Sequence, residues 1–250
     1  MMPPWPYPLW IAHRGAGKLA PENTLAAFRV GASHGHTAFE CDVKLSADGI
    51  PFLLHDATLE RTTGAAGSAG DRDWAELSRM DAGAWHGPIY AGEPIPTLEA
   101  IARFCLANSH ALNIEIKPTP GDEARTGQVV GEVAARLWAG AALAPLLSSF
   151  RPEALVGARE TAPALPRALL VDTLWVGWFE VATDLGCTAI VTHHRLMDAA
   201  LIERAHAAGL RALVYTVNDA ESAQTLIDQG IDGIVTDAVD RFSATRRPGR

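Results

Sequence analysis

Eight short apolar runs alternate with amphipathic segments along most of this 250-residue chain. The apolar runs have the length of buried strands, and most of the segments between them repeat apolar residues at helical spacing. Such alternation favours a parallel sheet whose strands are joined by helices, and eight units predict a (β/α)8 TIM barrel. The alternative fold is an open doubly wound sheet. The predicted strands cover residues 9–13, 38–45, 111–117, 146–150, 168–171, 189–192, 212–217 and 233–236.

Seven helices are predicted between these strands, at residues 24–33, 97–107, 126–139, 152–160, 175–185, 198–208 and 220–229. Asn23 is the expected N-cap of the first helix, and Gly35 follows its end. Trp175, Trp178 and Phe179 lie at helical spacing in another helix. We expect these three side chains to pack in the core rather than to bind a substrate.

A ninth strand-like run, residues 50–55, follows the second predicted strand after only four residues. A parallel crossover needs a dozen or more residues, so this run is predicted to return antiparallel, as a β-hairpin extension of strand 2 above the barrel mouth. Pairing of Leu45 with Ile50 would place His55 opposite Glu40. A slip of one residue would turn His55 to the other face.

The whole chain, residues 1–250, is predicted to form a single barrel domain. Residues 57–95 have no place in its cycle of strands and helices, and they are rich in Gly, Ala and Asp. We interpret them as an inserted loop or small subdomain over the barrel mouth. A segment of this length without barrel structure is usually functional.

The charge of the chain limits its partners. A net charge of −8 disfavours nucleic acid, which usually binds a basic face. A small phosphorylated substrate remains compatible with this charge, because a metal ion and a few cationic side chains can neutralise it locally.

Cysteine usage and the lack of apolar segments indicate where the chain resides. Cys41, Cys105 and Cys187 are widely spaced and match no metal-ligand pattern, so we expect reduced thiols and a cytoplasmic protein. Residues 1–8 lack the features of a signal peptide, and no run approaches the roughly 18 apolar residues of a membrane span. We expect no stable membrane association, a monomer or homodimer, and a frayed end at residues 245–250.

Three acidic residues are predicted to meet at the carboxyl ends of the strands, where barrel enzymes have their active sites. Glu40 and Asp42 lie two residues apart on one strand and therefore on one face. Glu115 joins them from the next strand. Three converging carboxylates repel one another without a cation, and hard oxygen ligands favour Mg²⁺ or Ca²⁺. The alternative is that these acids pair only with Arg14 and Lys117.

His13 and His55 are expected beside this cluster. Two histidines of near-neutral pKa can serve as base and acid in one reaction, although a single histidine at a strand end is equally typical of a structural hydrogen bond. Arg14 and Lys117 could bind phosphate oxygens. Alternatively, they only balance the charge of the acids.

Motifs spread over residues 13–237 resemble, in the same order, those of the glycerophosphodiester phosphodiesterase family. They are His13-Arg14-Gly15, Pro21-Glu22-Asn23-Thr24, Glu40-Cys41-Asp42, His55-Asp56, Glu115-Ile116-Lys117, Thr216-Val217-Asn218 and Asp232-Gly233-Ile234-Val235-Thr236-Asp237. Each motif alone is weak, whereas the ordered set is specific. One departure is Tyr215, where the family often has Trp.

The resemblance implies a barrel that hydrolyses glycerophosphodiesters to an alcohol and glycerol 3-phosphate. It implies one divalent cation, Mg²⁺ or Ca²⁺, on Glu40, Asp42 and Glu115, with His13 and His55 as general acid and base. It also implies Arg14 and Lys117 at the phosphate, and supporting roles for Glu22 and Asn218. The alternative functions are a lysophospholipase D-like lipid phosphodiesterase and a non-catalytic barrel that binds phosphorylated ligands.

Overall fold

Eight parallel strands close into a barrel in the computed structural model, which describes residues 4–242. The strands, including the hairpin arm β3, are β1 (Trp10–Ala12), β2 (Ala38–Leu45), β3 (Pro51–Leu53), β4 (Ala111–Ile116), β5 (Leu146–Ser149), β6 (Arg167–Val171), β7 (Ala189–His193), β8 (Arg211–Tyr215) and β9 (Gly233–Thr236). The order of pairing is β1-β9-β8-β7-β6-β5-β4-β2, and β1 also pairs with β2. This closure confirms the predicted TIM barrel and excludes an open sheet. The predicted frayed end at 245–250 lies outside the described residues.

Helices follow the barrel strands as predicted, and two short helices lie in the segment after the hairpin. Their bounds are α1 (Leu25–Ser33), α2 (Glu60–Thr63), α3 (Trp74–Leu77), α4 (Leu98–Ala107), α5 (Glu123–Leu137), α6 (Pro152–Thr161), α7 (Trp178–Asp184), α8 (Ala199–Ala207) and α9 (Ala220–Asp228). The predicted cap of α1 is wrong by one residue. Thr24 is the N-cap, and its hydroxyl accepts a hydrogen bond of 3.2 Å from the Ala27 amide.

Apolar side chains fill both the interior of the barrel and the layer between strands and helices. Small and branched residues such as Ala168, Val191 and Leu213 form the inner cluster. The strands are therefore nearly continuous apolar runs, as expected when both faces of a parallel sheet are buried. Charged side chains on β2 and β4 interrupt this pattern near the mouth and mark the position of the candidate site.

The β2–β3 hairpin forms, but the predicted register is wrong by one residue. Leu45 pairs with Pro51 rather than with Ile50, and the ladder ends where Val43 meets Leu53. The Ser46 hydroxyl accepts a hydrogen bond of 2.9 Å from the Ile50 amide, which keeps Ile50 in the turn. His55 therefore lies beyond the ladder and is not paired opposite Glu40.

The segment after the hairpin, residues 57–95, shares a small apolar cluster with the hairpin arm, in which Leu59, Leu77 and Ile95 pack with Phe52. It packs on the loop that joins β1 to α1. The His86 Nε2 atom lies 3.0 Å from the Lys18 carbonyl oxygen. These contacts hold the segment beside the mouth of the barrel.

Among the described residues, no helix combines the length and the apolar character needed to span a bilayer.

Candidate active site

Three carboxylates converge inside the barrel mouth. Glu40 and Asp42 lie two residues apart on β2, and therefore on the same face. Glu115 on β4 is in register with Asp42. Their ligand oxygens lie within 4.8 Å of one another. Glu40 Oε1, Asp42 Oδ1 and Glu115 Oε1 are buried and accept no hydrogen bond. Buried carboxylate oxygens without donors are unfavourable unless a cation binds them, so this cluster could hold a divalent ion.

The carboxylates of the cluster oppose one another's ionisation. Burial, and then the charges of Asp42 and Glu115, raises the pKa of Glu40 well above its usual range. Burial and the charge of Asp42 raise the pKa of Glu115 to about 7. Burial also acts to raise the pKa of Asp42, but Arg14 and Lys117 outweigh it and hold this pKa well below its usual range. Asp42 is therefore ionised at neutral pH and Glu115 only in part, and a bound cation would favour ionisation of both Glu40 and Glu115.

Two cationic side chains border the cluster. Arg14 Nε lies 3.3 Å from Asp42 Oδ2. Lys117 Nζ lies 3.5 Å from Asp42 Oδ1 and 3.2 Å from Glu115 Oε1, at ion-pair distance but without well-aligned hydrogen bonds to these oxygens. Although burial opposes it, the charges of Asp42 and Glu115 raise the pKa of Lys117, so its ammonium stays protonated. Both cations can balance the acids and still face an incoming anion.

Arg14 and Asn23 adopt left-handed backbone conformations, with φ of 50° and 60°. Such a conformation is unfavourable for Arg by roughly 1–3 kcal/mol, while Asn tolerates it better. The Arg14 amide donates a hydrogen bond of 3.1 Å to Glu40 Oε2. The Asn23 side-chain amide donates one of 2.8 Å to Asp42 Oδ2. The strained turn therefore orients two of the three carboxylates, a role of Asn23 that the predicted helix cap did not include.

His13 follows β1 and is oriented by Asp237. Its Nδ1–H donates a hydrogen bond of 2.7 Å to Asp237 Oδ1, because an ionised carboxylate can only accept. Asn218 holds Asp237 in turn, donating from Nδ2 to Oδ2 at 3.2 Å and accepting from the Asp237 amide at 2.8 Å. The other ring nitrogen, Nε2, lies 3.8 Å from Glu40 Oε2. Nε2 is therefore the ring nitrogen that faces the carboxylate cluster.

His55 is oriented in the same way by Asp56, which accepts a hydrogen bond of 2.7 Å from His55 Nδ1–H. Arg61 donates to both oxygens of Asp56, at 2.6 and 3.0 Å. Hydrogen bonds from Arg61 and then from His55 keep the pKa of Asp56 well below its usual range, although burial opposes them. Arg61 also binds Glu22, which accepts a hydrogen bond of 2.8 Å from Arg14. This chain of charges joins His55 to the phosphate-binding candidate Arg14.

Two adjoining cavities open beside these groups. The mouth cavity, of about 200 Å³, is lined by His13, Arg14, Glu40, His55, Glu115 and Tyr215, among others. The side cavity, of about 470 Å³, is lined by Lys44, Lys117, Phe150, Arg151, Asp172 and Trp175, among others. Glu115 and Lys117 belong to both walls. A phosphodiester at the carboxylate cluster therefore has space for a substituent on each side.

Two aromatic residues shape these cavities. Burial, followed by the charges of Asp172 and Glu115, raises the pKa of Tyr215 above its usual value, so its hydroxyl stays neutral.

Trp178 and Phe179 pack in the core as predicted. Trp175 does not, because α7 begins only after Gly177, and the Trp175 side chain is 41% exposed in the wall of the side cavity.

A comparison with known protein families decides to which family this chain belongs. Residues 13–241 match the model of the glycerophosphoryl diester phosphodiesterase family. The chain belongs to this family. A glycerophosphodiester phosphodiesterase of Caldanaerobacter subterraneus subsp. tengcongensis is 32% identical over 233 residues, which cover 92% of this chain and 93% of that protein.

Solved structures of phosphodiesterases share the architecture. A phosphodiesterase from Oleispira antarctica, in complex with the product sn-glycerol-3-phosphate, has 37% identity and a TM-score of 0.88, covering 94% of both chains. The glycerophosphodiester phosphodiesterase of Agrobacterium tumefaciens has 28% identity and a TM-score of 0.78, covering 93% of this chain and 97% of that one. The predicted family and enzyme class are thereby confirmed.

All nine residues predicted for the phosphodiesterase site lie at or beside the mouth. They are His13, Arg14, Glu22, Glu40, Asp42, His55, Glu115, Lys117 and Asn218. The sequence pattern alone did not predict the partners of the two histidines, Asp237 and Asp56, although both stand in the family motifs. Arg61 and Asn23 were also missed, since their roles depend on contacts between distant segments that spacing does not reveal.

Proposed function

We propose that this protein hydrolyses glycerophosphodiesters to an alcohol and glycerol 3-phosphate in a reaction that depends on a divalent cation. The observation that carries the proposal is the carboxylate cluster, whose three buried ligand oxygens accept no hydrogen bond, flanked by two histidines that each donate to an aspartate. The proposal takes residues 1–250 as one catalytic domain, with residues 57–95 as an insertion at its mouth.

Glu40, Asp42 and Glu115 would hold the cation, either Mg²⁺ or Ca²⁺. Three hard oxygen donors without nitrogen or sulfur ligands suit these two ions. When bound, such a cation supplies positive charge that stabilises the developing charge on phosphoryl oxygens. It would also satisfy the three carboxylate oxygens that accept no hydrogen bond.

His13 and His55 are proposed to move the protons. Each donates from Nδ1 to an aspartate, so each presents Nε2 as the reactive atom. One accepts the proton of the attacking hydroxyl, and the other protonates the departing alkoxide. The arrangement serves attack by water and attack by the glycerol 2-hydroxyl alike, since both require a base and an acid.

Arg14 and Lys117 are proposed to bind the non-bridging phosphate oxygens. The guanidinium offers a planar pair of donors, and the ammonium offers a compact charge. Both side chains line the mouth cavity. Glu22 and Asn218 support the site indirectly, Glu22 through Arg14 and Asn218 through Asp237.

Product analysis tests this function. The protein is incubated with glycerophosphodiesters of choline, ethanolamine, serine and glycerol in the presence of Mg²⁺ or Ca²⁺. We expect release of glycerol 3-phosphate and of the free alcohol. Cleavage of the other ester bond, giving glycerol and a phosphorylated alcohol, would contradict the proposed bond specificity, and no cleavage of any diester would contradict the function.

A lysophospholipase D-like activity is a second candidate, which one feature favours. Leu174, Trp175 and Val176 form an exposed apolar tip after β6, and Trp175 lines the side cavity. An acyl chain on the glycerol could contact this tip. Faster hydrolysis of lysophosphatidylcholine than of glycerophosphocholine would support this candidate, and loss of that preference in a Leu174→Ser, Val176→Ser variant would connect it to the tip.

A further inference from the structure

Lys44 is a buried cation that the proposed mechanism does not use. It follows Glu40 and Asp42 at the next inward-facing position of β2, lines the side cavity and is 4% exposed. Its ammonium donates a long hydrogen bond, of 3.4 Å, to the Lys117 carbonyl oxygen. Among residues 4–242, no carboxylate lies within ion-pair distance of Lys44 Nζ.

A buried ammonium without an anionic partner is unfavourable. The charges of Asp42 and Glu115 offset this cost only in part, because their close ion pairs are with Arg14 and Lys117. The open space beside Lys44 is the side cavity, whose wall it forms in part. An anion in this cavity would provide the missing counter-charge.

Arg151 adds a second cation to the same cavity, and the Glu123 carboxylate interacts with it only weakly. Arg151 is exposed, it forms no ion pair with any carboxylate of the described part of the chain, and it is the N-cap of α6. The N-terminal end of a helix carries partial positive charge. The other charged groups of the wall are Glu115, Lys117 and Asp172. Glu115 and Lys117 pair with each other. The charge of Asp172 contributes, after burial, to the pKa values of Tyr215 and His193.

We propose that the side cavity is a subsite for an anionic group on the alcohol arm of the diester, bound by Lys44 and Arg151. This inference rests on the proposed function, since it assumes a phosphodiester at the neighbouring carboxylate cluster. Glu115 and Lys117 belong to both cavities, so a diester held there can extend one arm toward Lys44. Carboxylate and phosphate groups both carry the negative charge and the acceptor oxygens that two cations would bind. Alcohols such as serine are therefore preferred over neutral or cationic alcohols.

Two substrates that differ by one carboxylate test the subsite. Glycerophosphoserine is glycerophosphoethanolamine with a carboxylate added, so the ratio of their kcat/KM values isolates the anionic group. We expect a ratio above one for the wild-type protein. Lys44→Gln should lower this ratio at least about tenfold, the scale of one lost charge-assisted hydrogen bond. Arg151→Gln should lower it by a smaller factor, because Arg151 is exposed.

A matched control separates the subsite from a general loss of positive charge. Arg103→Gln removes a cation from the exposed face of α4, where Arg103 pairs with Glu99, and should leave the ratio unchanged. The ratio cancels any effect of Lys44 on the phosphodiester itself, which both substrates share. An equal ratio in the wild-type and Lys44→Gln proteins would overturn the proposal.

A binding measurement keeps the subsite testable apart from turnover. Calorimetry gives the Kd of phosphoserine and of phosphoethanolamine for the protein with Mg²⁺ present. We expect phosphoserine to bind more tightly, and Lys44→Gln to remove most of the difference. If no glycerophosphodiester is hydrolysed but this difference depends on Lys44, the proposed function fails and the subsite stands. If hydrolysis occurs and Lys44→Gln leaves the difference unchanged, the subsite fails alone.

Discussion

The Arg61 guanidinium binds both carboxylate oxygens of Glu22, with hydrogen bonds of 2.8 and 2.7 Å. Arg61 lies in α2, in the segment after the hairpin, whereas Glu22 lies in the loop between β1 and α1. Glu22 also binds Arg14, and Arg61 also binds Asp56, the partner of His55. The Arg61 side chain therefore connects the surroundings of Arg14 with those of His55. The segment after the hairpin thus contributes to the position of His55.

Replacement of Arg61 by Ala should reduce kcat about 10- to 100-fold, the range typical of residues that orient a reactive group through hydrogen bonds. Asp56 would lose its strongest partner, and the imidazole of His55 would be less well oriented. Arg61→Lys should restore little, because an ammonium cannot reproduce the paired contacts. Steady-state kinetics over a range of pH measure the effect, which should change kcat more than KM.

Arg72→Ala is the matched control for this prediction. Arg72 lies in the same segment and pairs with Glu76 at 3.1 Å on the surface. Exposed pairs of this kind contribute little to stability, so the control should keep its kcat. Wild-type kcat in Arg61→Ala, or equal losses in both variants, would contradict the role assigned to Arg61.

Asp237→Asn should lower kcat about 100-fold or more. An amide in place of the carboxylate can donate to Nδ1 and favour the wrong tautomer of His13, which removes the lone pair from Nε2. Asn218→Ala should have a smaller effect, since Asp237 keeps its bond to His13. Nitrogen NMR of the imidazole distinguishes the two tautomers. A wild-type tautomer and wild-type kcat in Asp237→Asn would refute this assignment.

His13→Ala and His55→Ala should each lower kcat by about 100-fold or more, the usual contribution of a general acid or base. Both variants should still bind glycerol 3-phosphate, because the carboxylate cluster, Arg14 and Lys117 remain. His34→Ala, at the end of α1, controls for the loss of a histidine elsewhere. Turnover of either site variant at the rate of the His34→Ala control would remove that histidine from the mechanism.

The strands and the carboxylate cluster could be predicted from the sequence because they depend on local pattern. Burial on both faces makes the barrel strands continuous apolar runs, and the alternation of side chains puts Glu40 and Asp42 on one face. The hairpin register could not be predicted in this way. It depends on the turn between Ser46 and Ile50, where the Ile50 amide donates to the Ser46 hydroxyl and the Ser46 amide donates to the Ile50 carbonyl.

Contacts between distant segments could not be predicted from the sequence pattern either. Asp237 meets His13 across 224 residues of chain, and only closure of the barrel between β1 and β9 brings them together. The same holds for Arg61 and Glu22, which are separated by 39 residues. Family motifs identify these positions as a set, whereas the fold shows which residue contacts which.

The metal-free protein should be stabilised when Glu115 is replaced by Gln, and the stabilisation should grow between pH 5 and pH 8. The pKa of Glu115 is raised to about 7 in the folded protein, mainly by burial and by Asp42, whereas it is about 4.3 in an unfolded chain. Between these values the folded state holds more protons than the unfolded state. The contribution of Glu115 to stability therefore falls as pH rises through this window.

Thermal unfolding in chelator measures this difference between variant and wild type. Histidines with lowered pKa contribute the opposite slope, but they do so in both proteins, and the comparison removes their effect. Glu99→Gln, on the exposed face of α4, is the control for the loss of a carboxylate outside the cluster. A constant or shrinking difference for Glu115→Gln would show that Glu115 is not held in its protonated form.

Release of glycerol 3-phosphate from glycerophosphocholine, with and without a divalent cation, tests the central claim most directly. The protein is stripped with chelator, assayed, and assayed again after addition of excess Mg²⁺ or Ca²⁺, alongside Asp42→Asn. We expect no release in chelator, recovery with at least one of the two ions, and no recovery in the variant. Full activity in chelator, or full recovery in Asp42→Asn, would contradict a divalent cation bound by Glu40, Asp42 and Glu115.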